Sequence, residues 1–447
     1  MKKNYFALLS FIVFVFNSNA QVTIPFYDNV LFYDGYAGLV NEPTVPDVIR
    51  LRNDLFTKKM TPEVLSQIGS TLTLDISVSA ACDNYDRIGN INLALVPKNS
   101  ITYVPENVER IELGRIITPF MNKNVAPNLV PYTFSIDNVT KILKDSYLNS
   151  QYDFWMEFEL FGVPYAANTQ IAGCAGRNDV FYGSLNLITN VDTNIPNDTF
   201  IKSLNFRNNL NNYQAGASDA IGTTVRTINF VLPQAINNAK FFFITSNHGA
   251  NAGGEEYKRR FHYIYFDSTT PDLTYKPGEE TCEPYRIYNT QANGIYGSTP
   301  MTPAQWQSFS NWCPGAKIPI RTLDVGNLAE GSHFFKISVP FAQFLGQEGY
   351  FPISVYLQGE NTVLSVESFE IITMDFYPNP SKDFINVNSS VVLNSFEVID
   401  LEGRIITSQS VNGFNFKYDL SRVSNGIYLL KVNAVNGNTV VEKLIKN

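Results

Sequence analysis

Thr71-Leu72-Thr73-Leu74-Asp75-Ile76-Ser77-Val78 alternates apolar and polar side chains, the period of a half-buried strand. Ala80-Ala81-Cys82-Asp83-Asn84-Tyr85-Asp86-Arg87 follows, and Ile88 to Val96 then resumes strand character. A turn needs polar residues, but two carboxylates, an aromatic ring and a guanidinium within a few positions exceed what turning requires. We read the stretch as a loaded loop between two strands, with Asp86 as the centre of an active site.

The pattern continues outward. Ile111 to Phe120 reads as a strand stopped by Pro119, and Phe154 to Phe161 as a strand with Glu157 and Glu159 on one face. Val139 to Leu148 is the only compact amphipathic stretch in this half and predicts a helical turn. Residues 162–178 are small, polar and Gly-containing, an excursion from a sheet. Asp179 to Ile188 returns to strand, and the Asn-rich run from Asn190 to Asn212 suggests a change of domain. Beyond it lie strands at Val225 to Leu232, Ala239 to Ser246, Phe261 to Phe266, Phe334 to Val339 and Ile353 to Leu357. Asn247 to Tyr257 is a Gly-rich loop carrying Glu255 and Glu256. From Met374 onward, short alternating strands form a small last unit.

Composition agrees with this reading. The 447 residues are too many for one ordinary core, and only 17% are charged, against 33 Phe and 24 Tyr. That balance favours all-β sandwiches in two to four domains. A net charge of -8 argues against a nucleic-acid footprint, which needs a basic face. Lys2 and Lys3 precede an apolar run from Tyr5 to Phe16, and small and polar residues lead to Ala20, a signal-peptide pattern with cleavage expected after Ala20. The apolar run is too short to span a bilayer, and no later segment is long and apolar enough to do so. The expected divisions are therefore signal peptide 1–20, a first β domain 21–188, a second 189–372 and a last unit 373–447.

In an exported chain, Cys82, Cys174, Cys282 and Cys313 imply two disulfides, with three pairings open. No C-x-x-C spacing occurs and His248, His262 and His333 form no ligand motif, so no metal or cofactor is expected. The acids cluster as Asp83/Asp86, Glu157/Glu159 and Glu255/Glu256. Carboxylates gathered in a cleft suit hydrolysis, because burial and like charge raise one pKa and leave an acid beside a base. Arg87 beside Asp86 would keep that carboxylate ionised. Neither Gly-x-Ser-x-Gly nor His-Glu-x-x-His is present.

Two resemblances extend these readings. Tyr377-Pro378-Asn379-Pro380, Gly426-Ile427-Tyr428-Leu429-Leu430-Lys431-Val432 and the closing Lys443-Leu444-Ile445-Lys446-Asn447 closely resemble the type A sorting domain of the type IX secretion system of Bacteroidota. This implies passage through that machinery to the outer-membrane surface or the medium. Residues from about 60 to 360 resemble the peptide-N-glycosidase F family in Cys82-Asp83-Asn84-Tyr85-Asp86-Arg87, Gly114-Arg115-Ile116-Ile117-Thr118-Pro119-Phe120, Trp312-Cys313-Pro314-Gly315 and Pro319-Ile320-Arg321-Thr322-Leu323-Asp324-Val325. The implied fold is two adjacent eight-stranded antiparallel jelly-roll-type sandwiches, followed by a small immunoglobulin-like β-sandwich.

The implied activity is hydrolysis of the amide joining asparagine to N-acetylglucosamine in N-linked glycoproteins or glycopeptides, by a chain expected to be a monomer. The resemblance gives Asp86 the essential acid/base role and Glu256 that of second acid, with Glu255 as alternative. Glu159, ahead of Glu157, is the third acid. Tyr85, Arg87, Tyr257 and Trp312 would meet substrate, Arg87 also orienting Asp86. The bridges implied are Cys82–Cys174 and Cys282–Cys313. Phe309 stands where the family carries an active-site arginine. That departure motivates an alternative, a non-catalytic glycan-binding or adhesive surface protein on the same scaffold.

Overall fold

The computed structural model describes residues 21–192, 195–249, 255–278, 281–291, 310–362, 374–435 and 439–447. The expected signal peptide, 1–20, and Phe309 lie outside them. The chain divides into two compact units at Thr362/Val363.

The strand that opened the sequence reading runs Leu72–Ala80 and buries every second residue, from Leu72 through Leu74, Ile76 and Val78 to Ala80. It lies in a four-stranded antiparallel sheet, between Asp179–Asn190 and Leu129–Ser135, with Gln21–Tyr33 outermost. The facing sheet has the order Glu109–Ile117, Ile88–Pro97, Tyr152–Leu160, Leu55–Lys59, Val48–Arg52. Its free edge is extended by Lys317–Ile318, a two-residue strand contributed from far downstream. Phe32, Phe56, Phe158 and Phe181 fill the space between the sheets.

The second sandwich pairs the sheet Thr199–Leu210, Phe351–Asn361, Ile236–Thr245, Arg321–Leu328 with the sheet Val225–Leu232, Gly331–Ser338, His262–Phe266, Leu273–Tyr275. Phe241, Phe243, Phe335 and Phe351 are fully buried in its core. The other unit is a five-stranded antiparallel sheet curled around Val387, Phe396, Val398, Leu430 and Leu444.

Several local expectations change. The Asn-rich run contains the strand Thr199–Leu210, whose polar residues serve the pairing: Asn205 donates through Nδ2 to the Ile353 carbonyl at 2.6 Å. The single helical turn is two helices, Asp137–Lys144 and Ser146–Gln151, split at Asp145, whose side chain accepts from Leu148 N at 2.9 Å and caps the second. The strands of the last unit, expected to be short, include one of 17 residues, Phe384–Asp400, continuous through register shifts near Leu393. Gln21–Tyr33 carried no clean alternation because bulges interrupt its register after Pro25 and Tyr27.

The two sandwiches of the first unit are joined by a buried guanidinium. Arg115 is fully buried, with Nε and Nη2 on the two carboxylate oxygens of Glu112 at 2.8 and 2.7 Å. Its Nη1 crosses to the second sandwich, donating to Ser246 Oγ at 2.9 Å and the Pro352 carbonyl at 2.8 Å. Ser354 Oγ donates back to Glu112. Burial alone would raise the Glu112 pKa, but Arg115 and the Ser354 hydroxyl bring it below the ordinary glutamate value. Arg115→Met strands the buried Glu112 charge and is expected to cost about 3–5 kcal/mol, read as a lower denaturation midpoint; adding Glu112→Gln should recover part of the loss.

Candidate active site

Asp83 to Arg87 links Leu72–Ala80 in one sheet to Ile88–Pro97 in the other, so it spans the rim of the first sandwich. Its start is fixed by backbone bonds from Ala81 and Asp83 to the Val180 carbonyl and by the Cys82–Cys174 disulfide. Its end is held by Thr118, which follows the strand Glu109–Ile117. Thr118 Oγ1 accepts from Arg87 N at 2.7 Å and donates to the Tyr85 carbonyl at 3.1 Å, while its N–H reaches the Arg87 carbonyl at 2.8 Å. Both sides of Asp86 are therefore rigid.

Asp83 is buried and accepts four hydrogen bonds: from Tyr85 N, Val163 N, Arg87 Nε at 2.7 Å and Arg87 Nη2 at 3.4 Å. Arg87 is thus committed to Asp83, and its guanidinium lies over the Tyr85 ring at 5.4 Å and the Phe161 ring at 6.0 Å. This corrects the expectation that Arg87 keeps Asp86 ionised. Arg87 does act on Asp86, but burial and the nearby Glu256 carboxylate outweigh it and raise the Asp86 carboxyl to about 7.

Glu256 comes from the second sandwich, on the link between Ile236–Thr245 and His262–Phe266, which also cross from sheet to sheet. Its Oε2 accepts from Gly249 N at 2.9 Å, and its own N–H faces the Gly249 carbonyl at 3.4 Å. Gly249 has φ +125°, and a Cβ there would lie 2.5 Å from the Cα of Gly349, so only glycine closes this loop. Ser310 Oγ and Asn311 Nδ2 donate to the Glu256 carbonyl at 2.7 and 2.6 Å. Burial raises the Glu256 pKa, opposed by Gly249 N–H, the Tyr257 hydroxyl hydrogen-bonded to its carboxylate, and Arg87. Tyr257 is raised by burial and by both carboxylates, Glu256 and Asp86. Asp86, Arg87, Glu256 and Tyr257 therefore form one electrostatic group drawn from two sandwiches.

The other candidates separate by their partners. Glu255 is fully buried, bidentate to Arg260 at 2.9 Å for both contacts, and accepts from Gln343 N at 2.8 Å, so it anchors the loop. Glu157 is sealed among Asn92, Tyr103 and Arg110. Glu159 lines a groove of about 330 Å³ with Ile88, Arg52, Arg207 and Tyr350, its carboxylate bonded to Arg52 Nη2 at 2.7 Å and to Arg207 Nη1. Tyr350, which lines the same groove, has its pKa raised by burial and in part by the Glu256 carboxylate, so the groove of Glu159 adjoins the group.

Trp312 does not form an open wall. Its indole N–H donates to the Asn247 carbonyl at 2.9 Å, its ring stacks on His248, and it packs against Ile117, Ile244 and Ile318. It is buried and positions the Glu256 loop. The Cys282–Cys313 bridge packs with Phe120 and Ala316 against Tyr85, so the second disulfide backs that ring. Sequence reasoning did not single out Thr118, Phe161 and Tyr350; Thr118 was legible only as part of its motif, and Phe161 as a strand end. Among the described residues, no group of three or more His, Cys, Asp or Glu side chains could hold a metal ion.

Comparison with known proteins follows the same division. The family model for the N-terminal domain of peptide-N-glycosidase F matches residues 22–175, and that for its C-terminal domain matches residues 213–358. The chain belongs to the peptide-N-glycosidase F family. Residues 375–447 match the secretion system C-terminal sorting domain, which directs the chain through type IX secretion to the cell surface or beyond. A solved structure of PNGF-II is 19% identical, with 76% of this chain and 66% of that one covered at a TM-score of 0.55. A second crystal form gives 18%, 76%, 65% and 0.53. The chain thus spans just under two thirds of the length of these two relatives, and at such identity the likeness bears on the fold alone. PNGase F, a glycosylasparaginase from Flavobacterium meningosepticum, is 13% identical, with coverages of 76% and 96% and a TM-score of 0.49. No curated protein sequence matches.

Two consequences can be measured. Asp86 carries a folded-state pKa above its unfolded value, so between about pH 4 and 7 the folded chain holds a proton that the unfolded chain has lost. Stability should fall as pH rises through that window. Asp86→Asn should abolish the fall and stabilise the chain above pH 7 by on the order of 2 kcal/mol, discounted for the partial exposure of the carboxyl. Glu255→Gln leaves the half-buried Arg260 short of its partner, and denaturation should show a loss on the order of 2 kcal/mol.

Proposed function

We propose that the chain is an exported amidase that hydrolyses the bond between asparagine and N-acetylglucosamine in N-linked glycoproteins or glycopeptides. The observation that carries this reading is the coupling of Asp86 and Glu256, two carboxyls from different sandwiches with raised pKa values. Glu256, the first of the pair to ionise, takes a proton from the water that attacks the amide carbonyl carbon. Asp86, which burial and the Glu256 carboxylate keep protonated up to about pH 7, gives its proton to the departing glycosylamine nitrogen. Aspartate is left on the peptide, and the glycan leaves as its glycosylamine. The two acids titrate as a pair, so the ionised and protonated forms coexist near neutral pH. Glu159, held by Arg52 and Arg207, borders this pair as the third acid.

Rigid loops matter here because hydrolysis of an amide demands that water, carbonyl and proton donor be in register together. Tyr85, backed by Phe120 at 5.9 Å between ring centroids, and Tyr257 supply aromatic surface on either side of the acids. Arg87 holds the site's charge at Asp83 and orients the loop. The bond is an amide, so the separation rule for glycosidase carboxylates does not govern it.

The exported chain incubated with an N-glycopeptide should release glycan and convert the asparagine to aspartate, followed by mass spectrometry. Asp86→Asn and Glu256→Gln should each lower kcat by about 10²–10⁴-fold, the usual weight of a positioned acid or base. The wild-type kcat/KM should fall as pH rises through about 7, because the protonated form of Asp86 is the active one. Retention of glycopeptide without cleavage across several glycan classes would instead support the binding-protein reading.

A further inference from the structure

The far end of the first sandwich holds a cavity that the chemistry above does not use. The Asp86 loop feeds the strand Ile88–Pro97 at its start, and Lys98 follows its end, 10 residues and about 30 Å away by the rise of a strand. At that end Lys59 closes the strand Leu55–Lys59, and Asp153 lies at the start of Tyr152–Leu160. The helices Pro62–Gln67 and Asp137–Lys144 add Leu65 and Leu143 to the wall, and Met60 and Phe154, both buried, line the cavity beside them. Its volume is about 490 Å³.

Three lysines line this cavity, Lys59, Lys98 and Lys144, against one carboxylate among the described residues, Asp153. Asp153 is buried and fully engaged. Its Oδ2 accepts from Lys59 Nζ at 2.6 Å and from Asn99 N at 2.8 Å, and its Oδ1 lies 3.1 Å from Lys98 Nζ. Lys98 Nζ also reaches the Tyr152 carbonyl at 3.3 Å, and Lys144 Nζ donates to the Leu65 carbonyl at 3.0 Å, a neutral group. Three positive charges less one negative leave an excess of two, in a chain whose net charge is -8. A surface ion pair adds little to stability and needs one lysine, not three. An ammonium has three N–H donors, so each of these lysines keeps at least one for a guest.

We propose that this cavity binds a phosphorylated sugar, with the phosphate on Lys59, Lys98 and Lys144 and the ring against the apolar wall. A phosphate monoester carries close to two negative charges near neutral pH, which matches the excess. The phosphate fills only part of the volume, and the remaining wall of Met60, Pro62 and Leu65 suits the C–H face of a sugar ring. Asp153 holds two of the ammonium groups in place before the ligand arrives, which lowers the ordering cost of binding. The site lies at the opposite end of the sheet from Asp86, so it stands or falls apart from the amidase reading. A free sugar phosphate and a phosphorylated sugar within an oligosaccharide offer the same chemistry.

The test is calorimetric titration of the full chain with mannose 6-phosphate, mannose and inorganic phosphate at low ionic strength. Mannose 6-phosphate should bind, inorganic phosphate should bind more weakly, and mannose should give no heat. The double variant Lys98→Gln/Lys144→Gln keeps the Lys59–Asp153 pair and should weaken mannose 6-phosphate binding by about tenfold or more. No binding of mannose 6-phosphate at millimolar concentration overturns the site, as does an unchanged affinity in the folded double variant. Inorganic phosphate bound as tightly as mannose 6-phosphate overturns the sugar-phosphate assignment. If the double variant fails to fold, Lys144→Gln alone decides, since its ammonium bonds only the Leu65 carbonyl: weaker binding upholds the site and equal binding removes it. A mannose oligosaccharide carrying one 6-phosphate separates the two sources: tighter binding than the monosaccharide assigns the ligand to a polymer, and equal binding to a free sugar phosphate, the site being upheld by both.

Discussion

The buried Arg115 guanidinium sets the terms for everything above it. Its bonds run to Glu112 in its own sandwich and to Ser246 and Pro352 in the other, so one planar group ties the two bodies of the first unit, alongside the Arg207–Glu159 ion pair. A hydrophobic seam would hold them together but would allow sliding, because apolar contact is non-directional. A fully satisfied guanidinium fixes the register, and the register aligns two rim loops. Asp86 and Glu256 are 170 residues apart in the sequence, and neither is near the other by virtue of its own strand.

Each acid occupies the equivalent place in its sandwich, on a link that leaves one sheet and enters the other. Such links have to cross the end of the core, where backbone groups lose their sheet partners and must find others. Thr118, Asp83 and the Cys82–Cys174 bridge satisfy the first link, while Gly249, Ser310 and Asn311 satisfy the second. The same crossings bury a carboxyl on each loop. Burial raises both pKa values, and the Glu256 carboxylate raises Asp86 further. Acids with full sets of partners, Asp83 with Arg87 and Glu255 with Arg260, serve as anchors.

Much of the fold was legible where side chains alternate cleanly, as in Leu72–Ala80, and where motifs with fixed spacing linked distant segments. Polar or bulged strands were not legible. Thr199–Leu210 reads as a linker because its asparagines make sheet contacts that no periodicity announces. At the site, the residue types pointed to Asp86 and Glu256, but charge partners depend on three-dimensional neighbours. Arg87 follows Asp86 directly and bonds Asp83 four residues back, because successive side chains in an extended loop diverge. Trp312 illustrates the same limit, since an aromatic beside a Cys-Pro-Gly turn looks equally suited to substrate or core until its indole N–H is traced to Asn247.

The short strand Lys317–Ile318 has a consequence for how the molecule comes into being. It closes the edge of a sheet whose other strands all end by Leu160, pairing with Ile116 and Arg115 roughly 200 residues back along the chain. Until then that edge is an open row of backbone donors and acceptors, and Arg115 lacks Pro352, its acceptor in the second sandwich. The first sandwich can collapse by itself, but it reaches its final form only with strands of the second in place. The two sandwiches therefore complete each other, and the paired loops come into register only with both in place.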